Sequence, residues 1–254
     1  MGNERLRRVR RGRIAGRYCM KITMERTLHE LETAKSAQQC RNLISRYAHL
    51  LSEFRCRELT ELWSERPDTV LMAPWGSYHG KEGIRACFLR DFGDRDDPAY
   101  RERLKGCLYL HTFDTELIVV SGDLQTARAV FLIQGAEIYG RGIDSREYRE
   151  KCCFMANRCG VDFICENGVW KLWHVRIWTF WHFPLETCWT DIGRYQGFLL
   201  TDNTHCDAAP PQPAYYWSRT AVLGRAEPLP PEDYETFADV APGYGDCFDE
   251  EEAL

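Results

Sequence analysis

From Ala37 onward, apolar side chains recur at Cys40, Leu43, Ile44, Tyr47, Leu51 and Phe54. Steps of three and four residues place them on one stripe of a helix, with Ser36 positioned to cap its start. Residues 24–36, just before, are charged and helix-friendly but lack a sharp stripe. RELTELW reads as a second, short helix that Pro67 stops. TVLMAPWGSYHG is strand-like, interrupted by Pro74 and Gly76. Lys81–Phe92 reads as another helix, and the charged stretch 93–106 faces solvent. The period then shifts from helical to alternating. CLYLHTFDTELIVV and TARAVFLIQGAEIY form a hairpin turning at Ser121-Gly122-Asp123. After the polar insertion RGIDSREYRE, two further β-rich runs meet at Asn167-Gly168, the strongest short hairpin signal a sequence offers. Helices followed by four long antiparallel strands predict an α+β fold, a curved sheet wrapped over helices.

Strict alternation along the last strand puts Trp170, Leu172, His174, Arg176, Trp178 and Phe180 on one face. Val169, Lys171, Trp173, Val175, Ile177 and Thr179 take the other. Neither face is cleanly polar, so both are expected to be covered. An imidazole and a guanidinium among large aromatics is the composition of an apolar pocket with a few converging polar groups. The competing reading is an aromatic interface between subunits in which Arg176 stacks on Trp178.

A chain of 254 residues that is 44% hydrophobic suits one medium domain plus appendages. The division expected is a basic arm at 1–23, a folded domain at 24–190 and a proline- and aromatic-rich extension at 191–254 with an acidic end. That extension reads as an arm docking on the domain or on a neighbouring subunit. Net charge is −5, which gives no general electrostatic case for nucleic acid. The first 17 residues nevertheless hold seven arginines against one glutamate. Two readings stay open there: a disordered arm, or a start at Met20 or Met24. No apolar stretch resembles a secretion signal or spans a bilayer, so the expectation is a soluble, cytoplasmic protein.

The twelve cysteines are scattered, with no CxxC pair. They read as reduced, packed thiols; Cys152-Cys153 is a weak redox signal. No phosphate loop, dinucleotide fingerprint or nucleophile elbow is present. Histidines at metal-ligand spacing are absent, His174 and His182 being eight apart. No cofactor and no metal are therefore expected, and His182 is assigned to the aromatic cluster. His49 and His79 read as surface residues.

RNLISRYAHLLSEFRCRELTELW, GSYHGKEGIRACF, LHTFDTELIVVSGDLQTARAVF and CGVDFICENGVWKLWHVRIW together resemble the SnoaL-like branch of the nuclear transport factor two-like superfamily. The resemblance covers roughly residues 37–190. It implies a cone-shaped, cystatin-like α+β barrel with an apolar pocket between the helices and the concave sheet. Polyketide cyclases, ketosteroid isomerase, scytalone dehydratase and bile-acid dehydratase share that fold, as do proteins that only bind. In the dehydratases, a tyrosine on the first helix and a histidine on the strand after the third helix act in the pocket. Those places match Tyr47 and His111. The aspartate that usually partners the histidine is replaced here by Ser52, beside Glu53. A Gly-His-Glu triplet of one subgroup is matched by Gly135-Ala136-Glu137, which keeps only the acid.

The function expected is cofactor-independent acid–base chemistry: a dehydratase, isomerase or cyclase acting on a hydrophobic ring compound. His111, Tyr47, His174, Arg176 and Glu137 are its candidate catalytic residues. Trp170, Trp178, Phe180 and Trp75 are candidate pocket walls. The alternative is a non-catalytic binding module or scaffold of the same fold. Either would be a homodimer or a higher homo-oligomer.

Overall fold

The computed structural model describes residues 23–138, 152–184, 207 and 228–240. The basic start at 1–22, the polar insertion at 141–150 and most of the extension from 191 onward lie outside the described residues.

Helix α1 spans Met24–Ser52 and buries Cys40, Leu43, Ile44, Tyr47, Leu50 and Leu51. Its start corrects the expected cap at Ser36. Thr23 is the cap, its hydroxyl accepting from the Arg26 amide at 3.3 Å, and Ser36 is buried in mid-helix. The charged lead-in supports itself by local pairs such as Arg26–Glu30 at 2.8 Å. It leaves Leu28 and Leu31 exposed, so only the second half of α1 meets the sheet. Phe54 takes a positive φ of 54° just past the helix and turns into the core.

α2 (Cys56–Thr60) leads into β1 (Val70–Ala73) and β2 (Gly76–His79), a short hairpin turning at Pro74-Trp75. The Lys81–Phe92 helix is built as α3 (Gly80–Arg85) running into a π-helical stretch, Ala86–Phe92. Gly93 ends it with a φ of 92°, where a Cβ would sit 2.2 Å from the Tyr100 ring. α4 (Pro98–Arg101) follows.

β3 (Leu108–Val120), β4 (Thr126–Ile138), β5 (Cys152–Glu166) and β6 (Val169–Pro184) form the long meander. Asn167 and Gly168 both adopt left-handed φ values (52° and 80°), as a tight hairpin turn requires. The sheet runs β2-β1-β6-β5-β4-β3. It is open rather than closed into a barrel, because four-residue β2 at one edge offers no ladder to thirteen-residue β3 at the other. It is also mixed, since β1 runs parallel to β6.

One sheet face packs on the helices. Tyr109 and Phe113 of β3, Ala127, Ala129, Phe131 and Ile133 of β4, and Cys159, Val161 and Phe163 of β5 join α1 in the core. On β6 the strict alternation expected from the sequence fails twice. Phe163 pairs with Leu172 but Asp162 with His174; Asn157 pairs with Thr179 but Ala156 with Trp181. Trp173 and Phe180 are therefore extra residues in two β-bulges, and each bulge exchanges the faces of everything beyond it. Trp170, Leu172, Val175, Ile177, Thr179 and His182 share the helix-covered face. His174, Arg176 and Trp178 are carried to the other face.

Residues 228–240 cover part of that outer face. The Gly122 and Asp123 amides donate to the carbonyls of Tyr234 and Glu235, each at 3.0 Å. The Phe237 ring lies 4.7 Å from Trp173. Among the described residues, no helix is long and apolar enough to cross a membrane.

Candidate functional site

His111 and Glu137 meet on the inner face. They lie on neighbouring strands, but His111 pairs directly with Gly135, and Glu137 with Tyr109. The imidazole therefore leans diagonally over Gly135 to reach the carboxylate, with Nε2 at 2.7 Å from Glu137 Oε1. Gly135 makes this possible. A Cβ there would lie 2.6 Å from His111 Cδ2 and 2.8 Å from the Leu110 carbonyl oxygen. Gly135→Ala is expected to push the imidazole off Glu137 and to cost about 1–3 kcal/mol by overpacking. A denaturant melt and a structure of the variant check both effects.

Glu137 is nearly buried, and its other oxygen faces a second histidine. His182 Nε2 is 3.6 Å from Oε2 and 2.9 Å from Cys153 Sγ. Burial alone would raise the Glu137 pKa. The His111 hydrogen bond, with the His182 imidazole close by, outweighs burial and holds the carboxyl well below the usual glutamate range. Its ionised form thus contributes stability that is present above the ordinary value of 4.5 and is lost as pH falls toward the depressed folded value. Glu137→Gln is expected to flatten that acid limb in pH-dependent unfolding curves. Burial, then the nearby Glu137 charge, pushes the Tyr109 phenol well above its usual pKa. Burial likewise pushes up the Cys153 thiol, with the Glu137 charge adding to it.

An aromatic wall runs to this cluster. Trp75 packs on Phe92 at 5.8 Å, Phe92 on Tyr109 at 5.6 Å, and Tyr109 stacks with His111 at 6.2 Å. Tyr47 lies deeper, its ring edge-on to Trp63, Phe88 and Phe113, the last at 5.9 Å. Phe113 is two residues from His111 on the same face of β3. Burial holds the Tyr47 phenol well above its usual pKa.

The other residues to which the sequence points lie elsewhere. Trp170 is on the inner face but pairs with Cys165 beside the hairpin, whereas Glu137 pairs with Cys153. Twelve residues of β5 separate those two positions, roughly 40 Å along the strand. Arg176 lies on the outer face over the Trp178 ring at 4.3 Å. Phe180 occupies the second bulge. His174 belongs to a different polar cluster, built around fully buried Asp162. Asp162 accepts from Arg128 Nε at 3.1 Å and holds His174 Nδ1 at 2.8 Å. Phe237 lies against that histidine, at 6.0 Å. His182, expected in the aromatic cluster, stands instead beside Glu137 and Cys153.

Residues 32–176 match the SnoaL-like domain. The chain belongs to the SnoaL-like family. Among solved structures it is similar to a hexachlorocyclohexane dehydrochlorinase, at 12% identity over 63% of this chain and 95% of that one, with a TM-score of 0.48. It is also similar to a protein described as a scytalone dehydratase from Novosphingobium aromaticivorans, at 13% identity over 79% and 99%, TM-score 0.48. A third is an NTF2-like protein with a cystatin-like fold from the same organism, at 18% identity over 65% and 92%, TM-score 0.43. No curated protein matches the chain.

Proposed function

We propose that this SnoaL-like chain is an acid–base enzyme, a dehydratase, isomerase or cyclase, acting on a hydrophobic ring compound. The observation that carries the reading is the 2.7 Å contact between His111 and Glu137 at the end of an aromatic wall. An ionised carboxylate on Nε2 fixes the ring and stabilises the imidazolium that forms when Nδ1 takes a proton. Glu137 thereby fills the orienting role that Ser52 cannot. Tyr47, kept protonated by burial, is the donor assigned to the developing oxyanion. Trp75, Phe92 and Tyr109 hold the apolar rings.

The three reaction types share one step, removal of a proton α to a carbonyl. Incubating the protein in D₂O with a panel of hydrophobic cyclic ketones tests that step whatever the natural substrate. Deuterium entering the α-position faster than in buffer supports the reading, and buffer-rate exchange across the panel contradicts it. A second reading, a non-catalytic binder, is favoured by Tyr47 being wedged among three aromatic rings. Ketone binding without exchange would select it.

A further inference from the structure

We propose that Glu137, Cys153 and His182 form a binding site for a zinc-like divalent transition-metal ion. Their donor atoms lie within 4.8 Å of one another. The three separations are 2.9 Å (His182 Nε2 to Cys153 Sγ), 3.6 Å (His182 Nε2 to Glu137 Oε2) and 3.9 Å (Cys153 Sγ to Glu137 Oε2). Donors placed tetrahedrally around zinc at its usual bond lengths stand about 3.5 Å apart. The observed triangle brackets that value.

The same contacts argue against a nucleophilic triad. In a triad, the histidine uses one ring nitrogen toward the cysteine and the other toward the acid. Here Nε2 alone faces both partners, so the three groups converge on a point instead of forming a relay. The thiol is also shifted toward its protonated form, the reverse of an activated nucleophile.

The donors come from adjacent interior strands. Glu137 on β4 pairs directly with Cys153 on β5, and His182 on β6 pairs with Met155, one inner-face position along. Such a backbone holds the ligands rigidly before any ion arrives. A carboxylate, a thiolate and a neutral imidazole together neutralise a divalent charge. The thiolate and imidazole, soft and borderline donors, favour zinc or cobalt over magnesium or calcium even beside the hard carboxylate. Among the described residues, three ligands leave a fourth position for water or for an oxygen of a bound molecule, the arrangement of catalytic zinc sites. On binding, the Cys153 proton passes to solvent, so affinity rises with pH. The inference does not rest on the acid–base reading, but the two share the Glu137 carboxylate: His111 holds Oε1 and the ion takes Oε2, so a bound ion draws off charge that steadies the His111 imidazolium.

The test is a Co²⁺ titration of the chelator-stripped, full-length protein, followed by absorbance and then by Zn²⁺ competition. One equivalent with a thiolate-to-cobalt charge-transfer band is expected, displaced by one equivalent of Zn²⁺. Cys153→Ser should abolish the band, and His182→Asn should weaken binding at least ~10-fold. Cys107→Ser, at a half-buried thiol before β3, should change neither. No band in the unaltered protein overturns the proposal. So does a band that survives Cys153→Ser or disappears in Cys107→Ser. Circular dichroism without metal confirms folding, and if Cys153→Ser does not fold, His182→Asn carries the same decision. Ketone exchange measured on the chelator-stripped protein separates the two ideas: metal binding with no exchange in the metal-free protein counts against the acid–base reading alone.

Discussion

His111→Ala is expected to lower the rate of α-proton exchange by about 10²–10⁴-fold, the usual contribution of one positioned general base. The imidazole is held on Glu137 at 2.7 Å, stacks on Tyr109 and leans over Gly135, at the end of the aromatic wall. Glu137→Gln should reduce the rate less, because the ring keeps a hydrogen-bond partner but loses the charge that steadies the imidazolium. His174→Ala should leave exchange unchanged, since that ring lies on the other face beside Asp162. The three variants, compared under one assay, separate a catalytic role from a general loss of fold. A His111→Ala protein exchanging at the unaltered rate removes the assignment.

Asp162→Ala should cost about 3–5 kcal/mol of folding free energy, the typical penalty for removing one partner from a buried charge pair. Asp162 is fully buried, and Arg128 is mostly so. Deleting the carboxylate removes the Arg128 Nε contact at 3.1 Å and the His174 Nδ1 contact at 2.8 Å, beneath Phe237. Domains of this kind are stable by only about 5–15 kcal/mol, so the variant loses a large share of the total. Urea unfolding measures the loss. Asp162→Asn, which keeps the shape and one acceptor, should cost less. A loss below about 1 kcal/mol for the alanine variant would show that the outer-face cluster is solvated and unimportant.

Period alone makes some of this architecture visible in the sequence. The stripe from Cys40 to Leu51 identifies the buried side of α1, because helix geometry fixes which positions share a face. Asn167-Gly168 marks the β5–β6 turn, since few residues tolerate two left-handed φ values. His111 and Glu137 are both candidates from the sequence, and β3 and β4 alternate without interruption between those residues and the core. Their contact is not legible there, because it depends on a diagonal lean over Gly135 set by strand register. Strict alternation puts His174, Arg176 and Trp178 on the wrong face for a related reason. The bulges at Trp173 and Phe180 arise from pairing with β5, and nothing local to β6 announces them. Cys153 and His182 are 29 residues apart, so no spacing rule for metal ligands finds them. The early start of α1 escapes the periodicity because its first turns are held by charge pairs and a threonine cap instead of an apolar stripe.

The acid–base reading places the reaction on the helix-covered side of the sheet. The most direct test is a crystal structure of the protein with a bound hydrophobic cyclic ketone. The account predicts the ring against Trp75, Phe92 and Tyr109, with the α-carbon within reach of His111. A ligand seated on the opposite side, against His174, Arg176 and Trp178, would contradict it.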